Sequence, residues 1–169
     1  MSIKSYCVLD IETTGLSYIQ DEIIEIRILK IKNNKIVDVF DKLIKPKNKI
    51  PNRIIEITHI TNEMVRSGEN LNNVLFQILE FIGDLPLIIH NSPFDLSFLQ
   101  YNLEKIGLII NNEVIDTLKL SREIFKDFEK HNLQYLAERL NIKVENAHRA
   151  LDDTKTLNEV YKVMRKYIN

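Results

Sequence analysis

Hydrophobic and polar positions divide the chain into an early strand-like region and a later helical one. Residues 3–11 form a nearly continuous apolar run through Tyr6, Cys7, Val8 and Leu9, which predicts a strand buried on both faces. Residues 22–31 alternate, with Ile24, Ile26 and Ile28 on one face; Asn33-Asn34 is a turn signal, and residues 36–44 read as a further strand. These three segments predict a meander. Pro51 then opens a short helix-like stretch, and Thr61-Asn62-Glu63 reads as the start of another. Residues 71–82 carry apolar side chains at helical spacing and end at Gly83. A short apolar strand follows over 85–90. Pro93 suits the first turn of a helix running to about Ile106 and closed by Gly107. A short strand is expected over 114–116, and helices over 118–125, 133–140 and 150–168. Strands first, then alternating helices and strands, predict a mixed α/β sheet flanked by helices, as one domain over 1–169.

Composition narrows the function without naming it. The chain has 169 residues, 44% apolar and 28% charged, which excludes a disordered segment. Its 23 Lys and Arg against 24 Asp and Glu leave a formal charge of −1, so a strongly basic protein that coats duplexes is excluded. A single cysteine, Cys7, excludes an internal disulfide framework and a Cys-based zinc site. No apolar run approaches the ~18 residues of a membrane span. The N-terminal segment meets a carboxylate at Asp10, so no signal peptide is expected and a cytoplasmic location is.

Four carboxylates stand where the pattern does not want them. Asp10 and Glu12 end the first strand, and residues i and i+2 of a strand share a face. Two like charges therefore lie side by side next to a core strand. The last helix has an apolar stripe of Ala150, Leu157, Val160, Tyr161, Met164 and Ile168. Asp153 falls within that stripe, about 40° from Leu157 at 100° per residue, whereas Asp152 falls well off it. Asp95 lies one turn before Leu99 on the apolar side of its helix. Each has a bland explanation when taken alone. The strand has emerged into solvent, or Asp95 complements a helix N-terminus. Taken together they need four coincidences. Converging hard oxygen ligands suit Mg²⁺ or Mn²⁺, and two such ions can clamp the attacking and leaving oxygens of a phosphodiester. His148, five residues before Asp153, titrates near neutrality and is a candidate base for the attacking water.

Three motifs in order resemble the DEDDh family of 3′–5′ exonucleases. The first is Val8-Leu9-Asp10-Ile11-Glu12-Thr13-Thr14-Gly15-Leu16. The second is His90-Asn91-Ser92-Pro93-Phe94-Asp95-Leu96-Ser97-Phe98-Leu99. The third is Ala147-His148-Arg149-Ala150-Leu151-Asp152-Asp153-Thr154. Fainter echoes occur at residues 21–26, 57–65, 116–118 and 132–137, so the resemblance covers nearly the whole chain. It is nearest to proofreading exonucleases, such as the epsilon subunit of bacterial DNA polymerase III and exonuclease domains embedded in replicative polymerases. The resemblance implies a ribonuclease H-like fold with a mixed five-stranded sheet flanked by helices. It implies two divalent cations, Mg²⁺ or Mn²⁺. Asp10, Glu12 and Asp153 would bind the first, Asp10 would bridge to the second, and Asp95 would act mainly through water. It makes His148 the general base. The backbone at Thr13 and the side chains of Leu16 and Phe94 would contact the terminal nucleoside.

The chain departs from that family in two ways. Arg27 stands where a small residue is usual, and could reach solvent or phosphate or only change strand packing. No polymerase-binding tail like that of the epsilon subunit is seen, so a freestanding enzyme and a polymerase subunit are equally expected. Lys42, Lys45, Lys47, Lys49 and Arg53 form a basic cluster that either guides a strand or is a solvated loop. Cys7 reads as core, and His59 and His131 as structural. The expected activity is 3′–5′ cleavage of single-stranded or frayed DNA to nucleoside 5′-monophosphates, in a proofreading or repair role. The alternatives are an RNA exonuclease like ribonuclease T or the oligoribonucleases, and a non-catalytic nucleic-acid-binding module.

Overall fold

The computed structural model describes residues 3–143 and 150–168, with the side chains of Ala150, Leu151 and Asp152 outside the description. The strands are β1 (Tyr6–Thr13), β2 (Ile23–Lys32), β3 (Lys35–Leu43), β4 (Leu87–Ile89) and β5 (Val114–Asp116). The helices are α1 (Asn52–Thr58), α2 (Leu71–Ile82), α3 (Ser92–Glu104), α4 (Thr117–Ile124), α5 (Leu133–Arg139) and α6 (Ala150–Met164). One sheet has the order β3-β2-β1-β4-β5. The first three strands are an antiparallel meander, and β4 and β5 run parallel to β1. The mixed five-stranded sheet flanked by helices is the architecture the sequence predicts.

Local chemistry explains the joints. Asn33 and Asn34 both adopt positive φ, 51° and 65°, as a two-residue hairpin between β2 and β3 requires, and asparagine tolerates that region better than most residues. Asn91 at φ 65° ends β4 after three residues, half the predicted run, and turns the chain into α3. The expected helix after Thr61 is only a 3-10 turn, Met64–Ser67. At the far end α6 stops at Met164, four residues before the predicted end. There the backbone tightens to bonds from Lys166 to Val163 and from Tyr167 to Met164. Ile168, expected in the buried stripe, is 54% exposed.

The period of two along β1 assigns each residue a layer. Cys7, Leu9 and Ile11 face α2 and α3, in a core with Val74, Leu75, Ile78, Phe98, Leu99 and Leu103. Tyr6 and Val8 face α6, in a second core with Leu29, Ile31, Ile88, Leu157 and Tyr161. Burying each such side chain is worth about 1.5–3 kcal/mol, so a one-residue slip would invert both layers and is strongly disfavoured. Tyr6 also anchors α6 in register. Its ring meets Tyr161 edge-on at 5.2 Å, and its hydroxyl donates to Asn158 Oδ1 at 2.9 Å.

Candidate active site

The same alternation that buries Tyr6 and Val8 carries Asp10 and Glu12 onto the α6 side, just past the apolar layer. Asp153 lies in the first turns of α6, one turn before Leu157. Carboxylate oxygens of Asp10, Glu12 and Asp153 come within 4.8 Å of one another, and all three side chains are half-buried. Two like charges at that separation repel by about 3.5 kcal/mol at an effective dielectric of 20. Three such pairs cost about as much as the whole stability of a typical domain, 5–15 kcal/mol. The trio therefore needs protons or a cation.

Asp95 joins from the other side of the sheet. Cys7 donates its amide to Pro86 on the β4 side, and two-residue periodicity aims the amide of Ile11 the same way. β4 has ended by then, and Asp95 Oδ1 accepts the Ile11 amide at 3.1 Å. The buried Asp95 carboxylate thus fills the place of a missing strand partner, and α3 is set against the end of β1. Burial raises the Asp10 carboxyl well above its usual range, and the charges of Asp95, Glu12 and Asp153 add to that. Burial likewise raises Asp95, against the pull of its amide hydrogen bonds. Glu12 is pushed up to about 7 by burial, then by Glu25 and Asp153, with Arg27 opposing. A set of crowded carboxylates, each disfavoured as an isolated anion, is the donor chemistry that a divalent cation fits.

Arg27 is neither in solvent nor free to meet a phosphate. In the β1–β2 register Asp10 faces Arg27 and Glu12 faces Glu25, and across β2–β3 Arg27 faces Asp41. Arg27 Nη2 donates to Glu25 Oε1 at 2.9 Å and Nε to Asp41 Oδ1 at 3.1 Å. Its side chain is 12% exposed and that of Glu25 5%. Like charges directly opposite on antiparallel strands are destabilising, so the guanidinium offsets the Glu12–Glu25 pair. Arg27 Nη1 and Glu25 Oε2 are buried without hydrogen-bond partners among the described residues.

Asp116, which falls in the fainter echo at residues 116–118 and carries no expected role there, is a positioning residue. Its carboxylate accepts from the amides of Asn91, Ser92, Leu118 and Lys119 and from the Ser92 hydroxyl, so one side chain ties the starts of α3 and α4 together. Burial alone would raise its pKa, but those donors hold it below the usual range. Aspartate immediately before a helical run is the N-cap signature that could have revealed it.

The remaining expected contacts are placed as follows. Thr13 is buried and its hydroxyl donates to the Gly15 carbonyl at 2.6 Å. Leu16 is 87% exposed at the tip of the next loop. Phe94 is half-buried beside Asp95, with its ring 5.2 Å from that of Phe98. His131 Nδ1 lies 2.9 Å from the Ser121 hydroxyl, in keeping with a structural role. His148 lies outside the described residues, and the contrast between Asp153 and Asp152 rests on a side chain that is not described.

The chain is similar to known exonucleases along most of its length. The exonuclease family model matches residues 7–161. The PolC-type DNA polymerase III of Clostridium perfringens is 43% identical over 157 residues, covering 93% of this chain. This chain spans 11% of the length of that relative. Among solved structures, exonuclease X in complex with 5′-overhanging duplex DNA superposes with a TM-score of 0.78 at 25% identity, covering 95% of this chain and 91% of that one. The nuclease domain of 3′hExo, a DEDDh family member bound to rAMP, has a TM-score of 0.81 at 20% identity, covering 96% and 92%. With its ribonuclease H-like sheet and its acidic residues set to hold metal, the chain belongs to the exonuclease family.

Proposed function

We propose that this protein removes nucleoside 5′-monophosphates from the 3′ ends of DNA, single-stranded or frayed, with residues 1–169 acting as one exonuclease unit. The observation that carries the reading is the meeting of Asp10, Glu12 and Asp153 oxygens within 4.8 Å, with Asp95 buried beside them. DNA is favoured because the 43% identical relative is a DNA polymerase and the exonuclease X structure contains DNA. The role proposed is proofreading beside a polymerase, in the cytoplasm; that the same relative is a DNA polymerase III supports the polymerase association.

Asp10, Glu12 and Asp153 would hold the cations, with Asp95 steadied by the Ile11 amide and acting from behind them. Two divalent ions there, Mg²⁺ or Mn²⁺, supply positive charge to both the attacking and the leaving oxygen of a phosphodiester. His148 takes the proton of the attacking water, which requires a neutral imidazole. The exposed Leu16, the backbone at Thr13 and the Phe94 ring face the terminal nucleoside.

The test is digestion of matched 5′-labelled DNA and RNA oligomers in Mg²⁺ and in Mn²⁺, beside Asp153→Ala. The expected result is a 3′-shortening ladder on DNA, faster as pH rises through neutrality, and absent with Asp153→Ala or chelator. A faster ladder on RNA would reassign the substrate. Binding without a ladder on either would replace the enzyme by a binding module.

A further inference from the structure

A second concave site lies away from the carboxylates, at the other end of α3. A cavity of about 500 Å³ opens between the loop after β1, the segment after β3, the start of α2 and the C-terminal half of α3. Tyr18 and Tyr101 meet in its wall edge to face, with ring centroids 5.4 Å apart. Lys105 Nζ sits 3.8 Å over the Tyr101 ring. Lys45 and Lys47 line the cavity as well. None of these three lysines makes an ion pair among the described residues.

The two acids in the wall are already engaged. Asp21 accepts from the Ser17 amide and the Thr14 hydroxyl. Glu22 accepts from the amides of Lys47 and Asn48 and from the Asn48 side chain. Their hydrogen bonds fold the walls, and the ammonium groups, without a carboxylate partner among the described residues, remain for a ligand. Aromatic rings beside lysine ammonium groups are the chemistry that holds a single-stranded polynucleotide irrespective of sequence.

Position adds to chemistry. Asp95 and Tyr101 lie six residues apart on α3 and Asp95 and Lys105 ten, so the cavity begins about 9 Å and ends about 15 Å along the helix from the acidic site. At about 3.4 Å per stacked nucleotide that is three to four nucleotides. The loop joining the two sites exposes Leu16, Tyr18 and Ile19 to solvent. We propose that this cavity is a single-strand subsite that holds the nucleotides three to four positions upstream of a 3′ end seated at the carboxylates. The subsite rests on the exonuclease reading for its direction. The basic cluster of residues 42–53 is thereby split, with Lys45 and Lys47 facing the strand and Lys42 paired with Glu69.

The test is binding of 5′-labelled oligothymidylates of two to eight nucleotides, read by fluorescence anisotropy in EDTA, where nothing is cleaved. Wild-type affinity is expected to rise at least tenfold between two and six nucleotides. In Lys45→Ala/Lys47→Ala/Lys105→Ala, whose substituted side chains are exposed, that rise should flatten. The slope of log affinity against log salt for the hexamer should become shallower by about 2, at about 0.7 per phosphate contact. Tyr101→Leu should weaken the hexamer about tenfold and Tyr101→Phe should not. A wild-type affinity that is flat with length, or a rise unchanged in the triple variant, overturns the subsite. Mg²⁺-dependent shortening of the octamer by wild type is measured alongside. Shortening together with an unchanged rise in the triple variant rejects the subsite and keeps the exonuclease. Loss of the rise without shortening does the reverse.

Discussion

Asp10 is the residue under most stress, because four further acids, Asp95, Glu12, Asp153 and Glu25, raise its carboxyl on top of burial. Such a side chain is kept for chemistry at the expense of stability. Asp10→Asn is therefore expected to lose at least about 100-fold in cleavage rate while the metal-free protein melts a few degrees higher. A relief of 1 kcal/mol corresponds to about 2–4 °C for a chain of this size. Calorimetry in EDTA beside an oligonucleotide assay checks both, and an unchanged or lower melting point would contradict the repulsion. Asp153 was legible as an inward-facing carboxylate because helical angle alone places it near Leu157. Asp95 was legible as an anomaly, but its acceptor role toward Ile11 depends on β4 ending early, which no local pattern announces.

At the scale of elements, the central device is the register of β1 against β2. It sets Asp10 opposite Arg27 and Glu12 opposite Glu25, and β3 adds Asp41. Sequence placed all these residues on strands but could not say which faced which, because register depends on the hairpin and the loop between strands. Arg27→Met leaves Glu25 buried without its cation. Breaking such a pair costs about 3 kcal/mol, or about 6–12 °C in melting temperature. Glu25→Met/Arg27→Met should recover most of it, since apolar replacement of a buried pair is commonly neutral. Thermal melts of the single and double variants test this, and equal losses in both would mean that the ion pair is not the relevant interaction. Helix ends were the least legible feature. α6 falls short of its apolar pattern as its backbone tightens to three-residue bonds, and just past its end Arg165 Nη1 donates to the Ile3 carbonyl and to Asn34 Oδ1.

For the whole molecule, the acidic site links stability to pH and to cations. Glu12 and Glu25 are both pushed up to about 7, chiefly by burial, from the usual 4.5. Between those values the folded chain holds more protons than the unfolded chain, so stability falls as pH rises across that window. In EDTA the melting temperature should decline from pH 5 to pH 8. Mg²⁺ or Mn²⁺ should oppose the decline, with a larger gain at pH 8 than at pH 5, because only ionised carboxylates ligate. A melting temperature that is flat in EDTA, or a metal effect greatest at low pH, would refute the linkage.

The sequence by itself determined the strand-first order of elements, the two-faced burial of β1 and the identity of the acids, because these follow from periods of two and 3.6 and from misplaced charge. It also carried the three motifs by which the family is recognised. The tertiary structure alone decided that the acids meet, that Arg27 is locked between Glu25 and Asp41, and that Asp116 joins two helices. Lys45, Lys47 and Lys105 likewise come to share one cavity only in the folded chain. Each of these depends on contacts between residues far apart in the chain, and their geometry is set by strand register, helix packing and the early end of β4.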